Sequence, residues 1–193
     1  MVSAKTWFDY RINDGDSIIK MAAENLKVRC GEWNLESSDF ETHPHQERDV
    51  KAITIHPYYS GQKKSTAIQL ANDIAIIHTT EEFVFAPNVN TICLPSFDKP
   101  TIKGLCTSMG WGVNSPEADA RGEDIMKQVR LNEVVDREVC KNAILGSGKV
   151  PKVWQLHDSW ICAQASQEES PDNILCKGDG GGPLVCQEQG SEQ

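Results

Sequence analysis

A glycine-rich loop between two cysteines is the segment whose residue types point most directly to chemistry. Residues 176 to 186 read C-K-G-D-G-G-G-P-L-V-C, so that Asp179 lies among glycines. Glycine adopts positive φ at no steric cost and lets the backbone approach another group closely. The glycines alone would fit a simple turn before an edge strand. The aspartate and the two flanking cysteines favour a functional loop.

Two histidines in the string T-H-P-H-Q, His43 and His45, could be imagined as metal ligands. We interpret them instead as exposed polar residues of a loop, and we predict no metal and no cofactor. The seven cysteines contain no C-x-x-C spacing, which argues against a zinc ribbon. Dispersed cysteines suit an oxidising compartment, and their odd number leaves at least one without a partner in this chain.

The elements that must position these residues are short and rich in β-branched and aromatic side chains. The predicted strands are Leu26–Trp33, Val50–His56, Asp73–His78, Gly104–Trp111, Ile125–Val135, Ser159–Ala163 and Pro183–Cys186. One short helix is predicted at Asp136–Leu145, with Asp136 as its N-cap. Many short strands with turn residues between them predict an all-β sandwich or barrel. The mixed-charge stretch Ser115–Asp124 is predicted to be an exposed loop.

The bulk composition is that of an ordinary globular protein, for which we predict one domain. The chain has 193 residues and a formal net charge of −9. This acidic balance argues against nucleic acid or an anionic membrane as partner, because both attract basic surfaces. A protein partner with a basic patch remains compatible with it. No apolar stretch approaches the length that spans a membrane.

The glycine-rich loop and several other segments, in matching order, resemble the trypsin and chymotrypsin family of serine proteases. The other segments are C-G-E-W-N at 30 to 34, D-V-K-A-I-T-I-H-P at 49 to 57, N-D-I-A-I-I at 72 to 77, C-L-P at 93 to 95, G-W-G at 110 to 112 and W-I-C-A at 160 to 163. The resemblance covers residues 26 to 187. It implies two six-stranded antiparallel β-barrels, incomplete at both ends, with 1 to 25 unassigned and 188 to 193 as a tail.

Catalysis in this family needs a serine hydroxyl, an imidazole that takes its proton and a carboxylate that holds the imidazole. The resemblance assigns the carboxylate to Asp73 and the nucleophile position to Gly180, which can form no acyl intermediate. No histidine precedes His43, and the segment expected to carry the base reads M-A-A-E-N, with Glu24. The resemblance therefore implies no functional catalytic residue, although Gly178 and Gly180 keep the backbone N–H groups of an oxyanion hole.

Two further family positions depart from an active trypsin-like member. The pocket floor falls on Ile174, and an apolar floor does not neutralise a lysine or arginine side chain. We interpret the nearby Asp172 as a turn residue of S-P-D-N. Asp179 is the family's partner for a new N-terminus made by cleavage, and no I-V-G-G-like start is present. We expect Asp179 to find another counter-charge or to stay zymogen-like.

The resemblance also implies a disulfide pattern. It pairs Cys106 with Cys186 and Cys140 with Cys162. The cysteines expected to be unpaired in this chain are Cys30, Cys93 and Cys176. The disulfides imply a secreted, extracellular protein, although the N-terminus as given has no signal-peptide pattern.

The strings C-K-G-D-G-G, H-P-H-Q-E-R and P-N-V-N-T-I-C-L-P resemble a subgroup of the family, the clip-domain serine protease homologues of arthropods. This subgroup includes the masquerade-like proteins and the prophenoloxidase-activating cofactors. The resemblance implies a secreted, non-catalytic cofactor of melanisation and innate immunity. Its expected partners are proteins of the protease cascade, including prophenoloxidase.

Two alternatives stay open. One is a hydrolase with another nucleophile, which would need a serine, threonine or cysteine beside a histidine in space. The sequence around the remaining histidines, His56, His78 and His157, contains no motif that predicts a histidine paired with a nucleophile. The other is a non-functional truncated product, or a fragment of a longer clip-domain protein. A serine endopeptidase label would follow from the domain match alone, and the residues do not support it.

Overall fold

The computed structural model describes residues 2–3, 25–39, 41–59, 71–95, 104–115, 121–166, 169–170 and 173–187. Glu24, Asp172, the tail 188–193 and part of the predicted loop Ser115–Asp124 lie outside the described residues. Within them the elements are, in chain order, β1 (Val2–Ser3), β2 (Lys27–Cys30), β3 (Gln46–Ile55), β4 (Ala75–Thr79), β5 (Cys106–Gly110), β6 (Lys127–Val135), α1 (Arg137–Gly146), β7 (Cys162–Ala165) and β8 (Leu184–Cys186).

The strands form two antiparallel sheets, with the orders β1-β2-β3-β4 and β7-β6-β5-β8. This arrangement confirms the predicted all-β class with two halves. In the described residues each half is a four-stranded sheet, where the resemblance implies a six-stranded barrel. Each of the seven predicted strands recurs with shifted bounds, and β1 is an addition. Val2 and Ser3 pair with Cys30 and Arg29, so the start of the chain, left unassigned by its motifs, adds an edge to the first sheet.

Strand β3 begins at Gln46, four residues before the predicted Val50. The additional residues pair with β2 in regular antiparallel register, from Gln46 opposite Cys30 onwards. They are charged or polar, so a prediction based on apolar side chains does not include them in the strand. Cross-strand ion pairs explain why they fit there, since Glu47 contacts Lys27 at 2.8 Å and Arg29 at 3.0 Å.

Strand β7 spans Cys162–Ala165, later than the predicted Ser159–Ala163. The reason is a turn just before it, in which the Trp160 N–H donates to the carbonyl of His157 over 3.0 Å. The helix agrees with prediction to within one residue at each end. The Asp136 carboxylate caps it, accepting from the N–H groups of Glu138 and Val139.

Each sheet has its own apolar core. The buried residues of the first are Val28, Cys30, Val50 and Val89. Those of the second are Cys106, Val129 and Leu131. Within the described part of the chain, no helix is long and apolar enough to cross a membrane.

Hydrogen bonds to backbone carbonyls join the two halves beside the second sheet. The Trp33 carbonyl accepts from the Met126 N–H at 2.9 Å and from the Trp111 indole at 3.1 Å. The Leu35 N–H donates to the carbonyl of Asp124 at 2.8 Å. The G-W-G segment and the start of β6 therefore lie at the joint, and the glycine-rich loop packs against both of them.

Candidate functional site

The glycine-rich loop consists of two consecutive tight turns. The Asp179 N–H donates to the Cys176 carbonyl, and the Gly182 N–H donates to the Asp179 carbonyl, each over 3.0 Å. Gly178 and Gly181 have φ angles of 99° and 86°, which favour glycine over any other residue. The composition of this segment therefore produces the turn geometry that the sequence predicts.

The carboxylate of Asp179 points into the protein, and its side chain is only 4% exposed. Oδ1 accepts a hydrogen bond from the Gly112 N–H at 2.8 Å. Oδ2 accepts one from the Cys176 N–H at 2.9 Å and lies 2.8 Å from Lys127 Nζ. The carboxylate thus links the loop to G-W-G on one side and to β6 on the other.

Lys127 supplies the counter-charge of Asp179, a role that the sequence alone does not assign to any residue. Its side chain is 8% exposed, and its ammonium group also donates to the carbonyls of Val113 and Ile174, at 2.9 and 2.7 Å. Three acceptors therefore match the three N–H bonds of the ammonium. No sequence signal marks this lysine, because its role depends on the long-range register between β6 and the loop.

The two glycines of G-W-G make room for Asp179. A Cβ on Gly110 would collide with the Asp179 carboxylate, and one on Gly112 would lie 2.5 Å from its Cγ and Oδ2. A Cβ on Gly178 would in turn come within 3.0 Å of the Gly112 Cα. The G-W-G segment and the loop are therefore complementary surfaces, although Gly112 and Asp179 are 67 residues apart in the chain.

Gly180, at the position that the family resemblance assigns to the nucleophile, is exposed, and a Cβ added there would meet nothing within 4 Å. The space is open, but the residue carries no hydroxyl. Asp73 is also exposed, in the segment leading into β4. Burial raises the pKa of Tyr59, and the charge of Asp73 raises it further. Ile174 is half-buried, and its carbonyl is bound by Lys127.

His45 is half-buried, which corrects the prediction that both loop histidines are exposed; His43 is exposed. The cause is the buried carboxylate of Glu32, which lies 3.2 Å from His45 Nδ1. Glu32, Glu41 and His45 bring ligand atoms within 4.8 Å of one another and could hold a cation. Arg29 already lies 2.8 Å from Glu32, so an ion-pair network accounts for the group and we assign no metal to it.

Two hydroxyls do lie beside histidines, contrary to the sequence-based expectation. Ser159 Oγ is 2.9 Å from His157 Nδ1, and Thr54 Oγ1 is 3.0 Å from His78 Nε2. The His157 ring accepts from the Ser159 backbone N–H as well, at 3.1 Å, so the ring caps its own turn. Ser159 Oγ also accepts from the Asn72 N–H at 2.8 Å, which joins the two halves. The Thr54–His78 pair links the neighbouring strands β3 and β4.

The cysteines pair as the family resemblance implies. One disulfide joins Cys106 to Cys186, and the other joins Cys140 to Cys162. The free cysteines are Cys30, Cys93 and Cys176. Burial raises the pKa of the Cys30 thiol, which keeps this residue a neutral part of the first core.

Comparisons with known proteins agree with this geometry. The trypsin family model matches residues 17–192. Phenoloxidase-activating factor 2 of Galleria mellonella is 34% identical over 165 residues, which are 85% of this chain and 50% of that protein. The inactive CLIP domain-containing serine protease A8 of Anopheles gambiae is 32% identical over 84% of this chain and 41% of its own length.

A relative that is not named inactive matches as well. The CLIP domain-containing serine protease B4 of Anopheles gambiae is 31% identical over 86% of this chain and 44% of its own length. The chain thus spans half or less of the length of these three relatives. Similarity alone therefore does not separate active from inactive members, and the residues of the site must do so.

Proposed function

Because the chain belongs to the trypsin family and is related to the clip-domain serine proteases and homologues of insects, we propose that it is a catalytically inactive member. In this proposal it acts as a secreted, non-catalytic cofactor or binding protein in an arthropod innate-immune cascade. The single observation that carries the proposal is Gly180. This residue has no side chain, although the neighbouring residues of the loop match the protease motif and form two tight turns.

Inactivity follows from what surrounds this position as much as from the glycine itself. Acyl transfer requires a nucleophile hydrogen-bonded to a base, and the base held by a third group. The remnant positions in this chain are Asp73, Gly178, Asp179 and Gly180. Four of the five histidines have other partners. His45 contacts Glu32, His78 contacts Thr54 and His157 contacts Ser159. The His56 ring accepts a hydrogen bond from the Tyr58 N–H at 3.2 Å. An oxyanion hole without a nucleophile has no oxyanion to bind.

The cofactor role is supported by the relatives and by the state of the loop. One relative is named a phenoloxidase-activating factor and another an inactive protease. The loop keeps a buried carboxylate with three donors, which is an arrangement that maintains a surface shape. A net charge of −9 suits a protein partner with a basic patch. We therefore propose protein partners of the protease cascade, including prophenoloxidase, and secretion into haemolymph.

A reconstituted reaction tests the cofactor role. Purified prophenoloxidase and its activating protease would be mixed with and without the chain, and phenoloxidase activity would be followed. We expect higher phenoloxidase activity with the chain than with an equal amount of a folded, unrelated acidic protein. Equal activity in the two mixtures would overturn the cofactor role.

A peptide assay tests the proposed inactivity separately. A panel of chromogenic peptides with arginine, lysine, aromatic and aliphatic residues before the scissile bond would be incubated with the chain and with trypsin as the positive control. We expect hydrolysis by trypsin alone. Turnover by the chain that resists removal of contaminating proteases by gel filtration would overturn the proposed inactivity.

A further inference from the structure

We propose that Lys127 is a positioning residue that keeps the 176–182 loop ordered from within the fold, so that the loop needs no N-terminus made by cleavage. The inference builds on the proposed function, because it concerns how the same loop is regulated. The family resemblance implies that the aspartate at this position pairs with the ammonium group of a new N-terminus, which cleavage of the chain produces. In this chain an ammonium group is already in place, 2.8 Å from Asp179 Oδ2.

Because the Lys127–Asp179 ion pair is buried, loss of either charge is expected to change the position of the loop. The side chains of Lys127 and Asp179 are 8% and 4% exposed. Removing one partner of a buried ion pair leaves an uncompensated charge, which is strongly unfavourable. Asp179 could then keep its inward position only by binding a proton. Its alternative is to turn towards solvent and release the hydrogen bonds from the N–H groups of Gly112 and Cys176.

The scaffold holds Lys127 independently of the loop. Lys127 begins β6 and lies directly opposite Gly110 of β5 in the antiparallel register. Gly110 is the residue whose missing Cβ leaves space for the Asp179 carboxylate. One strand therefore provides the charge and its neighbour provides the room. The additional bonds from Nζ to the carbonyls of Val113 and Ile174 fix the direction of the ammonium group.

This arrangement separates loop order from proteolytic processing. A loop that waits for a new N-terminus is mobile before cleavage and ordered after it. A loop held by Lys127 is ordered in both states. The order of the 176–182 loop therefore does not depend on cleavage.

Amide hydrogen exchange tests the inference without any catalytic or cofactor assay, so its failure is distinguishable from failure of the proposed function. In the uncleaved wild-type chain we expect slow exchange at Gly112 and Cys176, whose N–H groups bind Asp179. In Lys127→Ala we expect exchange about 100-fold faster or more at these two amides. The amides of β3, in the other sheet, should change little. The matched control is Lys141→Ala on α1, because the side chain of this lysine is 42% exposed and lies far from the 176–182 loop in the sequence.

Chemical rescue separates the charge from the volume of the side chain. Propylammonium replaces the atoms that Lys127→Ala removes, and we expect it to restore slow exchange, whereas 1-propanol of similar shape should not. If the variant does not fold, recovery of folded protein with propylammonium, and not with propanol, is the supporting result. Fast exchange in the uncleaved wild type, unchanged exchange in the variant, or equal effects of the two additives would overturn the inference.

Discussion

Lys127 Nζ lies 2.8 Å from Asp179 Oδ2, and both side chains are almost completely buried. A buried ion pair is weak support for global stability, because desolvation of two charges offsets much of their attraction. Its effect is on position: the pair fixes where the carboxylate sits, and the carboxylate fixes the loop through the N–H groups of Gly112 and Cys176. Buried contacts therefore hold the loop in place, while Gly180, the position that the family resemblance assigns to the nucleophile, lacks a hydroxyl.

Because G-W-G lies so close to Asp179, we predict that Gly112→Ala lowers the free energy of unfolding substantially. The added Cβ would lie 2.5 Å from two atoms of the carboxylate and 2.7 Å from the Asp179 nitrogen. Overpacking of this kind costs about 1–3 kcal/mol, and we expect a decrease of that size in the free energy of unfolding. Urea denaturation followed by tryptophan fluorescence would measure it.

Gly146→Ala is the matched control for that substitution. Gly146 ends α1, and a Cβ there meets nothing within 4 Å. Alanine favours the helix over glycine by up to about 1 kcal/mol, so we expect an unchanged or slightly higher free energy of unfolding. Similar losses for both variants would show that Asp179 does not fill the space beside Gly112.

The open space above Gly180 predicts that Gly180→Ser folds normally and stays inert. Surface substitutions without steric conflict usually change stability by less than about 0.5 kcal/mol. The same change one residue later, Gly181→Ser, has equally open space but a φ of 86°. It should cost about 1–2 kcal/mol. Thermal unfolding would compare the two variants, and equal stabilities would contradict the backbone geometry of the loop.

Inertness of Gly180→Ser follows from the lack of a base assigned to this position. A serine hydroxyl is a weak nucleophile unless an adjacent group takes its proton. We expect no peptide hydrolysis above that of the wild-type chain, with trypsin as the positive control. Measurable turnover by Gly180→Ser alone would show that a histidine does reach this position.

The Glu41 carboxyl predicts a pH dependence of stability. Burial, the largest single influence, raises the pKa of Glu41. Its interaction with the nearby Glu32 side chain and the hydrogen bonds that Oε1 accepts from the N–H groups of Trp33 and Asn34 together outweigh burial, so the net shift of this pKa is downward. A pKa depressed by folding contributes stability above the unfolded-state value and loses it as pH falls through the folded-state value. We expect the free energy of unfolding to decrease as the pH drops below about 4.5.

Glu41→Gln should make that decrease shallower, because glutamine does not bind a proton. Glu138→Gln is the control, since the Glu138 side chain is 73% exposed on α1. Urea titrations of the three proteins from near-neutral to acidic pH would give the slopes. Parallel slopes for Glu41→Gln and the wild-type chain would contradict the hydrogen-bonded state of this carboxyl.

The sequence predicts much of the fold because local signals and long-range structure agree there. Apolar runs place the strands, and Asp136 marks the start of α1 by its capping chemistry. The glycines of the loop predict its tight turns. The early start of β3 at Gln46 is missed, because its charged residues depend on ion pairs with another strand.

The parts of the site that escape prediction all depend on contacts between distant segments. Nothing near Lys127 in the sequence distinguishes it from a surface lysine, and only the register of β6 against the loop brings it to Asp179. His45 is drawn into the protein by Glu32, thirteen residues earlier. The Ser159–His157 pair lies in a turn that overlaps the start of the predicted strand Ser159–Ala163.

The proposed inactivity of the chain can be tested by intact-mass spectrometry after treatment with a fluorophosphonate. Trypsin is the positive control, and the heat-denatured chain measures non-specific labelling. We predict an unmodified mass under conditions that label trypsin completely. A stoichiometric adduct on any serine of the folded chain, including Ser159 beside His157, would show that the chain carries an activated nucleophile.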